Sequence, residues 1–228
     1  MKVALVSPLK KERILKALKK FGFEVDEKNP EIVVCYGGDG TILYAERIFP
    51  EIPKLVIKKP LSVCKKCEYK LSDLKKVLRE VSKRNYEIVE EIKLEARAKG
   101  KKLIALNEIQ LHNKNPVRAI KFSVYADRKK YENLIGDGVI ISTPYGSTAY
   151  YSSTGGKPFK KGIGISFNNL HRKKIKSFVL PENSSVRIKV LRGPALVLAD
   201  NSEDFVEILK GTVEVKKAKE KARFIEII

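Results

Sequence analysis

A turn with the sequence Gly37-Gly38-Asp39-Gly40-Thr41 combines residue types that can do chemistry on a phosphate group. Glycine lets the backbone approach a ligand without side-chain collision. A helix starting here directs N–H groups and a partial positive charge at an anion. Asp39 adds a negative charge, but a carboxylate beside a bound phosphate can take a proton from a hydroxyl or help to position a magnesium ion. The turn therefore indicates phosphoryl chemistry, with Gly37, Gly38, Gly40 and Thr41 as the phosphate-binding residues.

The spacing of this turn differs from the two common phosphate-binding motifs. It matches neither the Walker pattern nor the G-x-G-x-x-G fingerprint of dinucleotide-binding folds. The structural alternative is an ordinary strand-to-helix turn in which Asp39 caps the helix. The motif alone leaves both interpretations open.

A second stretch, from Gly136 to Gly156, contains a short apolar run followed by closely spaced glycine, hydroxyl and tyrosine residues. Its sequence is GDGVIISTPYGSTAYYSSTGG. Neutral donors on a turn can orient a ligand that already carries charge. The alternative is a loop in which Ser147 caps a short helix over Thr148–Ser153. That alternative explains the capping hydroxyl but not the crowding of glycine and tyrosine.

Two polar residues, Asn107 and Glu108, stand side by side within the apolar alternation of Leu103–Leu111. An amide beside a carboxylate can bind an adenine edge and ribose hydroxyls. The alternative is a β-bulge or a strand end at the surface. Taken alone, the pair is more typical of the structural alternative, and it gains functional meaning only in combination with the other motifs.

Strands alternate with helices in the first third of the chain. Apolar residues recur at helical spacing in Lys10–Phe21, which Gly22 closes, and again in Leu71–Arg84. The remaining predicted elements are strands at Lys2–Ser7, Ile32–Tyr36 and Lys54–Ile57 and a helix at Thr41–Phe49. Alternation of this kind predicts a parallel sheet that is covered on both faces.

The hydrophobic pattern changes to a period of two near Tyr86. Apolar and charged residues alternate over Ile92–Lys99, and Gly100-Lys101 turns the chain into a predicted strand over Lys102–Leu111. Further β-patterned runs are Val117–Tyr125, Val139–Ser142, Ile163–Phe167, Val186–Leu191, Ala195–Ala199, Phe205–Leu209 and Gly211–Val215. No internal repeat stands out.

These patterns predict an α/β N-terminal domain with a mainly parallel sheet at residues 1–86. A β-rich, β-sandwich-like C-terminal domain is predicted at residues 87–228. The extreme C-terminus is free to pack back on the first domain. A cleft between two such domains is a common place for a ligand.

Composition narrows the class of protein without naming one. The 228 residues, 43% of them hydrophobic, fit a folded protein of one large or two small domains. The sequence contains no apolar run long enough to cross a bilayer and no secretory signal, so we expect a cytoplasmic protein without a membrane partner. The net charge of +20 attracts polyanions. Because the basic residues lie in separate runs mixed with acidic ones, nucleic acid is not expected as a partner.

The cysteines allow several arrangements. Cys64 and Cys67 have the C-x-x-C spacing of half a zinc site or of a redox pair. The other candidate ligands, Cys35, His112 and His171, lie far away along the chain. We therefore expect two loop thiols or a small local disulfide, and no metal site made of fixed protein ligands.

Taken in order, the motifs resemble those of the NAD kinase family. They are GGDGT, Asn-Glu on a strand, Asp-Gly leading into Ser-Thr-Pro-x-Gly-Ser-Thr-Ala-Tyr, and a following Ser-x-Gly-Gly. The resemblance runs from about Val33 to about Asp200. GGDGT alone is shared with lipid kinases of the diacylglycerol and sphingosine types and with 6-phosphofructokinases, so the specificity lies in the combination.

The resemblance implies transfer of a phosphoryl group from ATP or inorganic polyphosphate to the 2′-hydroxyl of the adenosine ribose of NAD, which gives NADP. It implies Asp39 as the base toward that hydroxyl and Mg²⁺ or another divalent cation as the cofactor. The NAD-binding residues that it implies are Asn107, Glu108, Asp137, Tyr145, Thr148, Ala149, Tyr150 and Ser153. In the family, the residue matching Asp137 reaches the nicotinamide end from a neighbouring subunit. A homo-oligomer, either a dimer or a tetramer, is therefore implied.

Three places depart from the family pattern. Family members usually follow the next strand with a glycine-rich run ending in Leu-Gly-Phe, where this chain has Lys58–Cys64. Tyr145 replaces a small hydroxyl residue near the adenine. Asp200-Asn201 stands where Asp-Gly is common, and asparagine tolerates the left-handed turns in which glycine is used.

Two other functions share some of these features. A lipid or sugar kinase also contains GGDGT, but that function does not explain the run from Gly146 to Tyr150. A non-catalytic nucleotide- or nucleic-acid-binding protein uses the +20 charge, binds with steep salt dependence and forms no product from NAD.

Overall fold

The computed structural model describes residues 1–8, 11–62, 64 and 67–228. The predicted helix start at Lys10, and Val63 in the segment that departs from the family pattern, lie outside the described residues. The chain folds as two units, one formed by Met1–Glu91 with Glu220–Ile228 and the other by Ile92–Lys219. In the described part of the chain, no helix is both long and apolar enough to cross a membrane.

In the first unit, short strands alternate with helices. The elements are β1 (Lys2–Val6), α1 (Glu12–Lys20), β2 (Glu24–Val25), β3 (Ile32–Gly37), α2 (Asp39–Ile48), β4 (Lys54–Lys58), β5 (Tyr69–Lys70) and α3 (Leu74–Ser82). The strands pair in parallel in the order β2-β1-β3-β4, and β5 also pairs in parallel with β4. Phe224, near the C-terminus, pairs in parallel with Lys54. The predicted parallel sheet is confirmed.

Both faces of this sheet are buried, as its near-continuous apolar strands predict. One face packs against α1 and α3, in a cluster that includes Leu5, Leu18 and Leu78. The alternate strand residues, such as Val33, are also buried, as is Ile42 of α2. Because side chains alternate between the faces of a strand, α2 covers the face opposite α1 and α3.

The cysteines adopt two different states. Cys64 and Cys67 form a disulfide, one of the two arrangements expected from their spacing. Cys35 is fully buried, and this burial raises the pKa of its thiol to about 12. Cys35 is therefore a small apolar core residue that stays protonated. Among the described residues, no cluster of three or more His, Cys, Asp or Glu side chains could hold a metal ion.

The second unit is built from antiparallel strands. The elements that follow α3 are β6 (Tyr86–Ala98), β7 (Lys101–Ala105), β8 (Glu108–Asn113), β9 (Ile120–Ala126), β10 (Lys129–Gly136), β11 (Gly138–Ser142), a 3₁₀ helix (Tyr145–Thr148), α4 (Tyr150–Ser153), β12 (Ile163–Asn168), β13 (Phe178–Leu180), β14 (Ser185–Arg192), β15 (Ala195–Ala199), β16 (Val206–Ile208) and β17 (Gly211–Ile227). The division between the units falls within β6 and β17.

Two layers of strands enclose the core of the second unit. One layer has the order β13-β12-β11-β8-β15-β16, and the other contains β10-β9-β14-β17 with β6 and β7. Apolar residues of both layers, such as Ile141 and Val197 from the first and Phe122 and Ile188 from the second, form one buried cluster. Sheets that bury alternate residues against each other form a β-sandwich. The predicted β-rich, sandwich-like fold is confirmed.

The sequence pattern misplaced some elements. The strand predicted over Lys102–Leu111 is wrong, because the chain bends at Leu106 and Asn107 and continues as a separate strand, β8. Helix α2 begins at Asp39, two residues before the predicted start, with Gly38 as its N-cap. The last strand extends to Ile227, well beyond the predicted end at Val215.

A buried ion pair fixes the C-terminal end of α2. The ammonium of Lys54, on β4, donates to the carboxylate of Glu46 and to the carbonyl oxygen of Phe49 at 2.7 Å. The Lys54 side chain is 0% exposed and that of Glu46 is 6% exposed. Since Phe49 is the C-cap of α2, Lys54 holds both a side chain and the terminal carbonyl of this helix.

Replacement of Lys54 should therefore destabilise the protein strongly. In Lys54→Ala, the Glu46 carboxylate stays buried without its ammonium partner, and we expect a loss of about 3–5 kcal/mol in the free energy of unfolding. Urea denaturation measures the loss. Lys101→Ala is the matched control, since the pair of Lys101 with Asp204 is exposed and should contribute about 1 kcal/mol or less. Equal losses in the two variants would contradict this account.

Candidate functional site

The glycine turn joins β3 to the N-terminus of α2. Gly38 is extended, with φ −121° and ψ −164°, and Asp39 is the first helical residue, so Asp39 is not the N-cap that the structural alternative required. The first N–H groups of a helix have no intrahelical partners and favour a bound anion. A Cβ on Gly37 would overlap the side chain of Thr41, so glycine lets Thr41 fold back over the turn.

The segment after β4 is hydrogen-bonded to this turn. The Lys59 N–H and the Ser62 hydroxyl both donate to the carbonyl oxygen of Gly37, at 3.0 and 3.2 Å. Ser62 also donates to the Lys59 carbonyl at 2.7 Å. In this chain, the segment that replaces the glycine-rich run of the family therefore supports the glycine turn through its backbone and one hydroxyl.

A cavity of about 690 Å³ lies beside the turn in the first unit. Its volume is within the range of roughly 300–1,000 Å³ that is typical of small-molecule sites. The cavity is lined by Ala4, Leu5, Val6, Ser7, Pro8, Lys11, Glu27, Gly38, Gly40, Thr41, Tyr44, Ile48 and Phe49. Three of the predicted phosphate-binding residues line it, whereas Gly37 and Asp39 do not. The cavity therefore lies beside the N-terminus of α2 and is lined by residues of both β1 and α2.

In the second unit, the Asn107-Glu108 segment forms the bend between β7 and β8. The carboxylate of Asp200 accepts hydrogen bonds from the N–H groups of Leu106 at 2.8 Å, Asn107 at 2.7 Å and Glu108 at 3.1 Å. Thr143 binds the carbonyl group of the same segment, since its N–H donates to the Asn107 carbonyl oxygen at 2.9 Å. The backbone of the segment is therefore fixed through both its donors and its acceptors.

The Asn107 side chain lies inside the protein with an unused acceptor. It is 6% exposed, and no group in the described part of the chain donates to its Oδ1 atom. A buried acceptor without a donor costs about 1–3 kcal/mol. Glu108 beside it is 2% exposed. The pair is thus a polar site held in a buried position, in which the Asn107 oxygen has no donor among the described residues.

The turn after β11 packs directly on this site. A Cβ on Gly146 would overlap the carbonyl group and Cα of Asn107, so only glycine allows this approach. The Gly146 N–H donates to the Thr143 hydroxyl at 2.9 Å, and that hydroxyl donates to the Leu106 carbonyl at 2.6 Å. The structure therefore brings the Ser-Thr-Pro-x-Gly stretch and the Asn-Glu pair together.

The predicted residues on either side of Gly146 divide into buried and exposed ones. Tyr145 is 5% exposed, whereas Tyr150 is 59% exposed and Thr148 and Ser153 are also exposed. Ala149, half-buried, precedes α4, and its carbonyl accepts from the Ser153 hydroxyl at 3.4 Å. Ser147 is not the predicted helix cap, because its hydroxyl donates to the Pro144 carbonyl at 2.7 Å.

The buried side chain of Tyr151 anchors the short helix α4. It is 1% exposed and packs edge-on against Phe159, with ring centroids 5.3 Å apart. Burial raises the pKa of Tyr151, while a hydrogen bond with Ser177 acts in the opposite direction. The neutral, buried ring of Tyr151 fixes α4 and leaves Tyr150 on the outer face.

Asp137 lies apart from these residues. It precedes β11, whose first residue Gly138 pairs with His112, whereas the last residue Ser142 pairs with Glu108. At about 3.4 Å per residue, the ends of this strand are roughly 14 Å apart. The Asp137 carboxylate accepts from the Asn169 amide at 2.7 Å. The structure therefore does not bring Asp137 to the Asn107 site of the same chain.

Several residues of the site were not predicted from the sequence as functional. Ser62, Thr143 and Asp200 act through hydrogen bonds to backbone groups, and Gly146 acts through its lack of a side chain. Thr143 and Gly146 lie in a motif that drew attention for its hydroxyl groups. The left-handed residue of the Asp200-Asn201 turn is Asp200, with φ 51°.

Comparison with known sequences identifies relatives of this chain. The model of the ATP-NAD kinase C-terminal domain matches residues 106–227. A protein of Clostridium botulinum (strain 657 / Type Ba4) named NAD kinase is 33% identical over 208 residues, which are 86% of this chain and 73% of that protein. The matched region of the family model contains the Asn107 site, the turn after β11 and Asp200.

Solved structures share the fold. An NAD kinase from Archaeoglobus fulgidus in complex with ATP superposes with a TM-score of 0.87 at 24% identity, covering 100% of this chain and 94% of that one. A yeast NADH kinase complexed with NADH gives a TM-score of 0.88 at 18% identity, covering 100% of this chain and 84% of that one. The architecture is therefore that of NAD kinase structures.

A side chain at position 146 should disturb Asn107. In Gly146→Ala, the new methyl group must displace the Asn107 backbone, and we expect a loss of about 1–3 kcal/mol in the free energy of unfolding and changed amide NMR shifts at positions 106–108. Gly155→Asn is the matched control, because nothing lies within 4 Å of a Cβ there and asparagine tolerates its φ of +88°. Unchanged amide shifts at 106–108 in Gly146→Ala would contradict the close approach.

Proposed function

Because this chain belongs to the NAD kinase family, we propose that it is an enzyme that transfers a phosphoryl group from ATP to NAD and so produces NADP. The observation that carries the proposal is the buried pair Asn107 and Glu108. Its backbone is fixed from both sides, and the Asn107 Oδ1 atom accepts no hydrogen bond from the described part of the chain.

The proposed binding of NAD, the phosphoryl acceptor, rests on hydrogen-bond complementarity. Adenine carries an exocyclic amino group, which is a donor suited to the Asn107 oxygen, and ribose hydroxyls are donors suited to a carboxylate such as Glu108. Tyr150 exposes an aromatic ring on the same turn that packs on Asn107 through Gly146. We propose that this ring lies against the dinucleotide, with Tyr145, Thr148, Ala149 and Ser153 completing the site.

The proposed binding of the phosphoryl donor rests on the cavity beside the glycine turn. A triphosphate fits the helix N-terminus, where Gly38, Gly40 and Thr41 line the cavity and Gly37 shapes the turn. The apolar residues farther along the cavity, such as Ile48 and Phe49, suit a nucleoside. ATP is accordingly the proposed donor. Inorganic polyphosphate uses only the phosphate end of this site and is the alternative donor.

Asp39 is the proposed general base. It is half-buried in the first turn of α2 and does not line the donor cavity. In phosphoryl transfer, the attacking oxygen and the leaving oxygen lie roughly in line on opposite sides of the phosphorus. The base that deprotonates the attacking hydroxyl must therefore lie outside the donor site. Asp39 takes the proton of the ribose 2′-hydroxyl as this oxygen bonds to the terminal phosphorus. The bond from that phosphorus to the bridging oxygen breaks, and ADP leaves with its electron pair.

Mg²⁺ fits this site as an ion that binds to the donor phosphates. The described residues form no cluster that could enclose a metal. Mg²⁺ usually keeps several waters and binds one or two carboxylates together with substrate phosphates. The ion would be held mainly by the donor phosphates and its own waters at the N-terminus of α2, since Asp39 is assigned to the acceptor hydroxyl. Once bound, it would neutralise charge that develops on the phosphate oxygens.

The position of Asp137 supports an oligomeric enzyme. It lies at the far end of β11 from the Asn107 site of its own chain, and in the family that this chain resembles the matching residue reaches the nicotinamide end from a neighbouring subunit. We propose a homo-oligomer, a dimer or a tetramer, for this reason. The cytoplasm is the proposed compartment, because it supplies both ATP and NAD.

Product analysis tests the function directly. Purified protein is incubated with NAD, Mg²⁺ and either ATP or polyphosphate, and the nucleotides are separated chromatographically. We expect NADP to form with ATP and only when NAD is present. A protein that phosphorylates a lipid or sugar alcohol instead, or that binds nucleic acid without forming product, would exclude this function.

Replacement of the base tests the mechanism. In Asp39→Asn, the side chain keeps its shape but cannot accept the hydroxyl proton, and we expect NADP formation to fall by about 100-fold or more. NAD affinity, measured by calorimetry, should stay within a few-fold. The matched control is Glu24→Gln, which removes one charge from the exposed strand β2 of the same unit. Turnover of Asp39→Asn close to that of the control would reject Asp39 as the base.

A further inference from the structure

We propose that Asp200 is a positioning residue that orients Asn107 and Glu108 toward the adenosine half of the acceptor. This inference rests on the proposed function. Asp200 lies more than ninety positions away along the chain, with sequence separations of 94, 93 and 92 to the three residues that it binds. Asp200 itself touches no substrate in this proposal and acts only through the backbone of the bend.

The carboxylate of Asp200 gathers three successive backbone donors. Its Oδ2 atom accepts from Leu106, and its Oδ1 atom accepts from both Asn107 and Glu108. The contact is reciprocal, because the Asp200 N–H donates to the Glu108 carbonyl at 3.0 Å. The neighbouring residue, Ala199, is paired with Ile109 in the β15–β8 ladder. The register of this ladder therefore sets where the carboxylate meets the bend.

The bend needs this carboxylate because its N–H groups have left the strand ladder. Buried backbone donors without partners are costly, and the break between β7 and β8 turns three of them toward one point. An ionised carboxylate offers about four acceptor positions and forms stronger hydrogen bonds than a neutral oxygen. A serine or threonine hydroxyl at this position could not accept from all three donors in the same geometry.

The backbone conformation of Asp200 also suits its contact with the bend. Its φ of 51° is left-handed, a conformation that aspartate and asparagine adopt more readily than most residues. Asparagine would therefore fit the turn but not the contact, because it replaces one acceptor oxygen by an NH₂ group. That group would face N–H donors, so at least one hydrogen bond of the bend would be lost.

Fixing the bend determines where two functional side chains point. Asp200 holds the N–H groups of Asn107 and Glu108, while Thr143 holds the Asn107 carbonyl. With the peptides fixed on both sides, the Asn107 Oδ1 atom stays in its buried position without needing a protein donor. The binding site is thus held in shape before the ligand arrives, which lowers the cost of ordering it.

Kinetics of Asp200→Asn test this role. We expect the KM for NAD to rise by about 10-fold to 100-fold, as for the loss of hydrogen bonds to a charged group, while the KM for ATP stays within about twofold. Amide hydrogen exchange at positions 106–108 should accelerate in the same variant. Glu203→Gln is the matched control, since it removes one negative charge from an exposed position of the same loop. It should leave both KM values and the exchange rates unchanged.

The outcomes separate this inference from the proposed function. A wild-type protein that forms no NADP removes the proposed function and this inference with it. An active wild type whose Asp200→Asn variant keeps its KM for NAD, or loses only kcat, overturns the inference alone. If Asp200→Asn does not fold, Asp200→Glu replaces it, because it keeps the charge and shifts the carboxylate by one methylene. Should neither variant fold, the role of Asp200 is confined to stability and the proposal is overturned.

Discussion

The structure of the candidate site around Asn107 depends on one constraint, which is that backbone donors leaving a β-ladder must find other partners when they are buried. The chain meets this constraint at the bend between β7 and β8, where a carboxylate distant in sequence accepts three consecutive N–H groups. The two segments described next are arranged around that bend. The turn after β11 approaches it without a side chain, and α4 follows with its outer face exposed.

Much of the fold could be predicted because it follows from local pattern. Near-continuous apolar strands between amphipathic helices predicted the parallel sheet, and alternating runs predicted most strands of the sandwich. The strand-to-helix turn at Gly37–Thr41 was also predicted, because its glycines follow a buried apolar strand and precede a helical pattern. The start of α2 was misjudged by two residues, since Gly38 is an N-cap without a side chain and left no capping signal.

The rest could not be predicted because it depends on contacts between distant segments. Asn107 and Glu108 interrupt the apolar alternation of Leu103–Leu111, but only the contact with Asp200 shows that the ladder stops there. Strand β10 escaped prediction because it has few apolar residues and an irregular register with β9 between Tyr131 and Leu134. The same holds for the candidate site. Residue types together with the family resemblance indicated Asp39, Asn107 and Glu108 as candidates, whereas Thr143, Gly146 and Asp200 act through the backbone, which no side-chain pattern records.

The contact between Gly146 and the Asn107 peptide has a consequence for how this protein can change over time. Two segments that meet backbone to backbone cannot vary independently, because a larger residue in one is accommodated only if the other moves. The effects of substitutions in the two segments should therefore be non-additive. Altering the acceptor preference of such an enzyme, in evolution or in the laboratory, requires coordinated substitutions in both segments.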